Sequence, residues 1–441
     1  MPKQQDIVNA MLERIKPNGV HQIDPIVADL LTEICARNKE TIKERLPELE
    51  EILKQFGSNR TVDYDKYYLP YLTHYLPKNY AKVQNILLEL MRKDLLPENM
   101  CIMDIGSGQG TSELAIANFF TQLAEAEREL GMSREHKISV FSTEKYKNNR
   151  EGLIVLRDRY CQKNEYARQN IQIADPWDAT AHPEIEITES SKGTFDLVIL
   201  SNVLTEMHDA FDQTVAKISQ LVKSDGTIAL IETADKVGTN KLNRAKEVLK
   251  EQRMTIYSPA GIWHPFCEFK DTTEYEKISW GIIGPCTMCA IEKPNMQRIR
   301  YDGMEGSRKD VKYSFVMMRR DGITTYEKKP GNDYVKLKDI KPLGKTNVRV
   351  FKQRRHGRWD KPEKQYLNDV PYSIWYTCDG TCGRKHMYLI AHPQKEREID
   401  NAQDGDILDI KNALIQKRPD GPEVYVTADE GSQITVEKNT L

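Results

Sequence analysis

The 441-residue sequence has no apolar run approaching the roughly 20 residues that a membrane-spanning helix needs, which excludes an ordinary helical span and argues against a membrane partner. It begins Met1-Pro-Lys-Gln-Gln-Asp6, with no apolar core of a secretory signal and none of the Arg-rich, acid-poor character of an organelle transit peptide. The expectation is a cytoplasmic chain. Its 8 cysteines are too few, and the expected compartment too reducing, for a disulfide scaffold. Cys35, Cys101 and Cys161 sit in apolar helix-like or strand-like patterns and read as core. No internal repeat or low-complexity stretch interrupts the chain. What remains is 39% hydrophobic and 29% charged, the composition of a globular protein large enough for two to four folding units.

The net charge of −2 conceals an asymmetry. Between residues 295 and 365 there are 20 Lys or Arg against 9 Asp or Glu, an excess of 11 positive charges. Most charge runs are solvated faces. An excess of this size in a nearly neutral chain suits a polyanion such as RNA, where phosphate neutralisation releases counterions. No DNA partner is expected.

Residues 1–95 read as a helical region. Ile7, Met11, Leu12 and Ile15 fall at helical spacing, and the tyrosines 64, 67, 68, 71, 75 and 80 read first as packing residues. Residues 96–322 alternate strand and helix: strands at 101–105, 138–143, 171–174, 195–200, 227–232 and 254–257, a long helix from Ser112 to Leu130 ended by Gly131, and a last strand from Tyr313 to Arg319. The pattern predicts an α/β fold with a doubly wound, Rossmann-like parallel sheet. On this reading residues 260–310 are an insertion carrying three cysteines. Residues 341–441 read as a separate β-rich unit, with short strands and Asp-Gly turns that suggest a small barrel of the oligonucleotide-binding type.

Asp104-Ile-Gly106-Ser-Gly108-Gln-Gly110 lies between the first of these strands and the long helix. Glycines there let the backbone turn tightly and approach a ligand. The spacing is GxGxG rather than the dinucleotide GxGxxG, and no pyrophosphate-binding feature follows. S-adenosylmethionine has no phosphate and suits such a loop, which would cradle its methionine and ribose. By resemblance to the class I methyltransferases, Asp104 would orient the amino-acid end. Glu144 is the candidate ribose ligand, Asp175 the candidate for the adenine amine, and Asn202 would border the methyl group. As polar strand-end residues, Glu144 and Asp175 could equally cap the next helix, and for Asn202 capping is the commoner role. Catalysis is less legible. After the fourth strand stands Ser201-Asn-Val-Leu-Thr-Glu206, with neither the Asn/Asp-Pro-Pro-aromatic run of base-amine methylation nor the Pro-Cys of cytosine C5 methylation. Glu206 and His208 are candidate bases, and no catalytic residue is assigned.

Cys286-x-x-Cys289 is a chelating pair, Cys267 precedes it, and Cys378-Asp-Gly-Thr-Cys382 supplies another pair in turn-like surroundings. Five thiols suit a four-ligand site with one to spare, for zinc or an iron–sulfur cluster. His264 and His386 read as ordinary packing or surface histidines.

Several motifs in order resemble one family. They are Tyr75-Leu-Pro-Lys-Asn-Tyr80, Met103-Asp-Ile-Gly-Ser-Gly-Gln-Gly110, Asp196 to Glu206, Ile231-Glu-Thr233, Gly284-Pro-Cys-Thr-Met-Cys289, Lys312-Tyr-Ser-Phe-Val316 and Tyr376-Thr-Cys-Asp-Gly380. The family is the methyltransferase-like assembly factors of the mitochondrial small ribosomal subunit and their prokaryotic relatives. The resemblance implies an S-adenosylmethionine-binding protein of the small ribosomal subunit and its rRNA, with a 4Fe–4S cluster on Cys267, Cys286, Cys289 and Cys378. Here Cys382 is additional, and the run between Cys267 and Cys286 is longer than the family's. The competing readings are a methyltransferase of a small molecule or protein, and a non-catalytic RNA-binding module on the same fold.

Overall fold

The computed structural model describes residues 3–17, 20–54, 62–178, 191–207, 210–233, 235–258, 296–302, 308–324, 331–341, 344–355, 364–367, 370–379, 387–402, 406–417 and 424–437. These residues form two compact units divided near residue 324.

The first unit opens with α1 (Gln4–Ile15), a two-residue strand β1 (Val20–His21), α2 (Pro25–Arg37) and α3 (Lys39–Lys54). Val8, with Ile7, Met11 and Ile15, forms the buried face of α1. The segment from Tyr64 is helical, as expected of residues 1–95. It is one long helix, α4 (Tyr64–Met91), that carries Pro70 and Pro77 inside it and departs from helical geometry at Tyr67. Helices normally bend or break at interior prolines. The departure at Tyr67 falls about one turn before Pro70, as an interior proline predicts, and beyond it burial of Leu69, Leu72, Leu76, Tyr80, Val83 and Leu87 holds the helix together across Pro77.

The sheet then builds from β2 (Asn99–Ile105), α5 (Thr111–Glu129), β3 (Lys137–Glu144), α6 (Lys147–Lys163), α7 (Glu165–Asn170), β4 (Ile171–Ile173) and β5 (Trp177–Asp178). It continues through β6 (Phe195–Ser201), α8 (Phe211–Ile218), β7 (Val222–Thr233), α9 (Lys236–Glu251), β8 (Thr255–Ser258), β9 (Met296–Asp302) and β10 (Arg308–Arg319). The strand order is β1-β9-β10-β7-β6-β2-β3-β4, with β5 on β3 and β8 on β10. Strands β7, β6, β2, β3 and β4 run parallel, and β10 lies antiparallel to β7 from Tyr313↔Thr233 to Arg319↔Thr227. The first unit is therefore a Rossmann-like α/β fold with a mixed sheet. In β6, Leu197, Val198, Ile199 and Leu200 are all buried, because helices cover both faces of a parallel sheet. Gly131 adopts φ +74 just past α5, the left-handed turn that ends the helix as its sequence predicts.

One part of the expected insertion at 260–310 belongs to the sheet: β9 pairs with both β10 and β1. Residues 259–295 lie outside the described set, and with them Cys267, Cys286, Cys289 and His264.

Helix α7 offers a local check. The Asn164 side chain caps it, accepting from the Ala167 N–H at 2.9 Å while its amide donates to Tyr160 Oη at 2.9 Å and Thr121 Oγ1 at 3.2 Å. Asn164→Ala should cost about 1 kcal/mol, the usual worth of an N-cap. Urea unfolding would show this as a lower midpoint at unchanged slope.

The second unit contains β11 (Gly344–Arg355), β12 (Lys364–Leu367), β13 (Val370–Cys378), β14 (Met387–Ala391), α10 (Pro393–Asp400), β15 (Ile407–Lys417), β16 (Val424–Ala428) and β17 (Gln433–Glu437). Five of these strands close on themselves: β11 pairs with β13, β13 with β14, β14 with β16, β16 with β15 and β15 back to β11. Only the β14–β16 pair is parallel, and α10 follows the third strand of the ring. Val348, Val350, Trp375, Leu389, Leu408, Ile410 and Val426 fill a shared core. The buried Arg349 guanidinium ties β11 to Asp409 of β15 at 2.5 Å and to Glu437 of β17. Among the described helices none is long and apolar enough to cross a membrane.

Candidate cofactor site

The glycine loop occupies the carboxyl edge of β2, where open α/β sheets place their ligands. Gly106, Gly108 and Gly110 all have positive φ, at +75, +56 and +88. The loop folds over β3: the N–H groups of Gly106 and Ser107 both donate to the Thr143 carbonyl, at 2.9 and 3.0 Å. A Cβ on Gly106 would come within 2.8 Å of Val203 Cγ2, and one on Gly110 within 2.9 Å of Leu153 Cγ. A Cβ on Gly108 would meet nothing within 4 Å. Two glycines are therefore required by packing, while the middle one faces open space.

Glu144 ends β3 directly beneath this loop, accepting from Gly108 N at 2.8 Å and Tyr146 N at 2.7 Å. Burial raises its pKa, and those two N–H groups partly counter the rise. Asp104 is 1% exposed, and no well-directed hydrogen bond reaches either of its oxygens. Burial pushes its carboxyl up to about 7; Ser112 eases the shift and Glu144 adds to it. The structure brings Glu144, Asp104 and the three glycines together. Asp175 is exposed and paired with Arg157 at 2.6 Å. Asn202 follows β6 in a left-handed conformation, φ +56, with its N–H on the Ile231 carbonyl at 2.8 Å.

Three charged residues not picked from the sequence also belong to this edge. Glu113, in the first turn of α5, is 1% exposed; burial and then the neighbouring Asp104 hold its pKa well above the carboxylate range. Lys82 of α4 is buried with Nζ 3.5 Å from Asn202 Oδ1. Glu232, at the end of β7, is fully buried and accepts from Leu204 N at 2.7 Å. Burial lowers Lys82 and raises Glu232, and each opposes the shift of the other. Helical spacing is the signal that could have found two of them: Glu113 shares a face with the buried Ile116 and Ala117, and Lys82 with Ile86.

Helix α4 also reaches the loop. Gln109 Nε2 donates to the Tyr68 carbonyl at 2.6 Å and to Asn149 Oδ1 at 3.1 Å. Tyr64, Tyr71, Tyr75 and Tyr146 pack in a chain with ring centroids 5.0–5.3 Å apart, against Leu49 and Val62. The tyrosines are packing residues, as their sequence suggests, and they also border Glu206. That partly buried carboxyl is pushed up to about 7 by burial, with the Tyr64 hydroxyl lowering it and Glu144 raising it. His208 lies outside the described residues.

The expected metal ligands are not available for the same description. Cys267, Cys286, Cys289 and Cys382 lie outside the described residues, as does His386, and of Cys378 only the backbone is described, ending β13 opposite Phe351. Cys35, Cys101 and Cys161 are half-buried free thiols, at the margin of the packing rather than in the core that their sequence patterns suggest.

The buried polar atoms without a well-directed partner concentrate around the loop: both oxygens of Asp104 and of Glu113, Ser107 Oγ, Ser142 Oγ and Gln109 Oε1. Buried polar groups are normally satisfied.

Among solved structures, the chain is similar to the YcgJ protein from Bacillus subtilis, at 12% identity and TM-score 0.29, covering 55% of this chain and 99% of that one. It is also similar to a precorrin-6y C5,15-methyltransferase from Geobacter metallireducens, at 10% identity and TM-score 0.30, covering 54% and 87%. A third likeness is to a geranyl diphosphate methyltransferase in complex with SAM, at 12% identity and TM-score 0.28, covering 55% and 85%. No curated protein matches the sequence. Over residues 66–267, the stretch holding α4, the glycine loop, Glu144, Asn202 and Glu232, the chain matches the family described as mitochondrial small ribosomal subunit Rsm22, the family its motifs resemble.

Proposed function

We propose that this chain binds S-adenosylmethionine at the glycine loop and acts with the small ribosomal subunit and its rRNA, during assembly or translation. The observation that carries the first half is the loop itself: three left-handed glycines at the carboxyl edge of β2, open space beside Gly108, and the Glu144 carboxyl held beneath it. Asp104 and Glu144 are the residues that would hold the cofactor: a carboxyl beside its ammonium group, and a carboxylate with lone pairs left for ribose hydroxyls. When bound, the cofactor supplies an electrophilic methyl group. Lys82 lies 3.5 Å from Asn202 Oδ1 at the edge of the site, and Glu206, like Asp104, is a carboxyl able to hold a proton near neutral pH.

The family match, the excess of positive charge at 295–365 and the second unit support the ribosomal half. A closed ring of five strands with a helix after the third supports reading residues 341–441 as an oligonucleotide-binding barrel. The metal reading, four of Cys267, Cys286, Cys289, Cys378 and Cys382 around a 4Fe–4S cluster or zinc, rests on spacing and resemblance. Iron, sulfide and zinc determination on anaerobically purified protein tests it.

The sequence Ser201 to Glu206 lacks a recognised methyl-transfer motif, which favours a second reading in which cofactor binding serves assembly without methyl transfer. Two measurements test the function as a whole. Calorimetry should show stoichiometric S-adenosylmethionine binding, and tagged protein should co-sediment with small subunits at low salt and leave them as salt rises. A chain that stays in the free pool at low salt would remove the ribosomal half.

A further inference from the structure

We infer that the indole of Trp177 is the stacking platform for the adenine of the cofactor, in place of the carboxylate expected at Asp175. The inference rests on the S-adenosylmethionine reading and adds to it the residue that holds the base.

The order of the strands matches the order of the cofactor's parts. Asp104, the candidate for the amino-acid end, stands on β2, and Glu144, the candidate for the ribose, ends the neighbouring β3. Strand β5 pairs with the other edge of β3, setting Trp177 beside Thr143 and Asp178 beside Glu144. Thr143 is the residue whose carbonyl receives the Gly106 and Ser107 N–H groups. A base carried by a ribose on Glu144 and directed away from Asp104 meets β5, about 4.8 Å from β3.

Trp177 is 50% exposed, and it is the one aromatic among the large apolar side chains exposed among the described residues. Single exposed apolar residues are ordinary. This one is held in place. Its ring centroid lies 6.3 Å from that of Phe141, which packs in turn on Phe195 at 6.0 Å. Arg150 fixes the strand that carries it, donating to the Glu144 and Lys145 carbonyls at 2.9 and 2.7 Å and to Asp178 Oδ2 at 2.8 Å. Asp175 is engaged elsewhere: Arg157 donates to its Oδ1 and, at 3.1 Å, to the Ile173 carbonyl. The acid is occupied and the indole is open. An aromatic face holds a base by stacking, without a carboxylate on the base's amino group.

The test is titration of the full chain with S-adenosylmethionine, followed by calorimetry and by tryptophan emission. Adenine stacked on indole quenches its fluorescence, so binding should dim part of the emission from the 5 tryptophans. Trp177→Phe keeps an aromatic face, so affinity should stay within about threefold of wild type while the quenching disappears. Trp177→Ala should lose about 10- to 100-fold in affinity, with circular dichroism unchanged. Asp175→Asn should bind as wild type does. Wild-type affinity in Trp177→Ala, or quenching that survives in Trp177→Phe, overturns the inference and leaves the cofactor reading standing. Weakened binding in Asp175→Asn returns the base to that carboxylate and overturns it too. Single-stranded oligoadenylate is titrated in parallel: a loss in Trp177→Ala confined to the oligonucleotide assigns the ring to RNA instead. Absence of S-adenosylmethionine binding in the wild type overturns both readings together.

Discussion

Asp104→Asn should make the ligand-free protein more stable above neutral pH and, in the same molecule, abolish S-adenosylmethionine binding. The Asp104 carboxyl is held near 7 in the folded chain, against 3.8 as its ordinary value, chiefly because it is buried. Below pH 4 both folded and unfolded chains carry the neutral acid, and the side chain contributes no pH dependence. Between 4 and 7 the unfolded chain gives up the proton and the folded chain keeps it. Stability therefore falls as pH rises through that window, and above 7 the full penalty applies. A shift of this size corresponds to on the order of 3–4 kcal/mol. Asparagine removes that penalty and still places a polar amide in the interior, at about 1–3 kcal/mol. The expected result of urea unfolding across pH is a net gain of about 1–2 kcal/mol at pH 8 that turns into a loss of about 2 kcal/mol toward pH 4, where only the amide's cost remains. Glu113, Glu144 and Glu206 are also raised by burial, so the wild-type melting temperature should itself decline from pH 5 to pH 8. A residue that stabilises the empty protein when removed is being kept for something other than folding. If Asp104→Asn destabilises at pH 8 to the same extent as at pH 4, the carboxyl is part of the packing and that conclusion fails.

The residues differ in how plainly the sequence declares them, and the reasons are physical. The glycine loop is legible because left-handed turns and close packing admit few other residues, and three glycines at fixed spacing after an apolar strand have little else to do. Strand β6 is legible because a strand covered on both faces must be apolar throughout. Glu113 and Lys82 are not. A charged residue in a helix reads by default as solvated, and only its phase relative to Ile116 or Ile86 marks it as buried. Asp175 shows the converse: it is an acid at the expected strand end, but its side chain pairs with Arg157 at the surface. The edge strands β1 and β9 escape local reading, since Val20–His21 is a strand only because it meets Arg300 and Tyr301, some 280 residues along the chain. The continuity of α4 across Pro77 is hidden for the same reason, its stability coming from neighbours distant in sequence.

Alanine at Gly106 and alanine at Gly108 should fail in opposite ways, and the contrast locates the ligand. Both backbones are left-handed, so each substitution costs about 1–2 kcal/mol from conformation alone. At Gly106 the new methyl also falls 2.8 Å from Val203 Cγ2 and 3.1 Å from Val203 Cβ, which forces the loop after β6 to move. Overpacking of this kind adds about 1–3 kcal/mol. Gly106→Ala should therefore lose about 2–5 kcal/mol of stability, with binding lost as a consequence of the damaged fold. Gly110→Ala, meeting Leu153 Cγ at 2.9 Å, should behave likewise. At Gly108 the methyl enters open space, so the stability loss stays at the conformational cost. The same methyl stands where the backbone would approach the cofactor. Affinity for S-adenosylmethionine should fall by about a hundredfold or more, the equivalent of roughly 3 kcal/mol. Urea unfolding and calorimetry on the two proteins separate these effects. A Gly108→Ala protein that binds with wild-type affinity would mean that the ligand does not lie on the loop, because no neighbouring side chain stands close enough to absorb the added methyl.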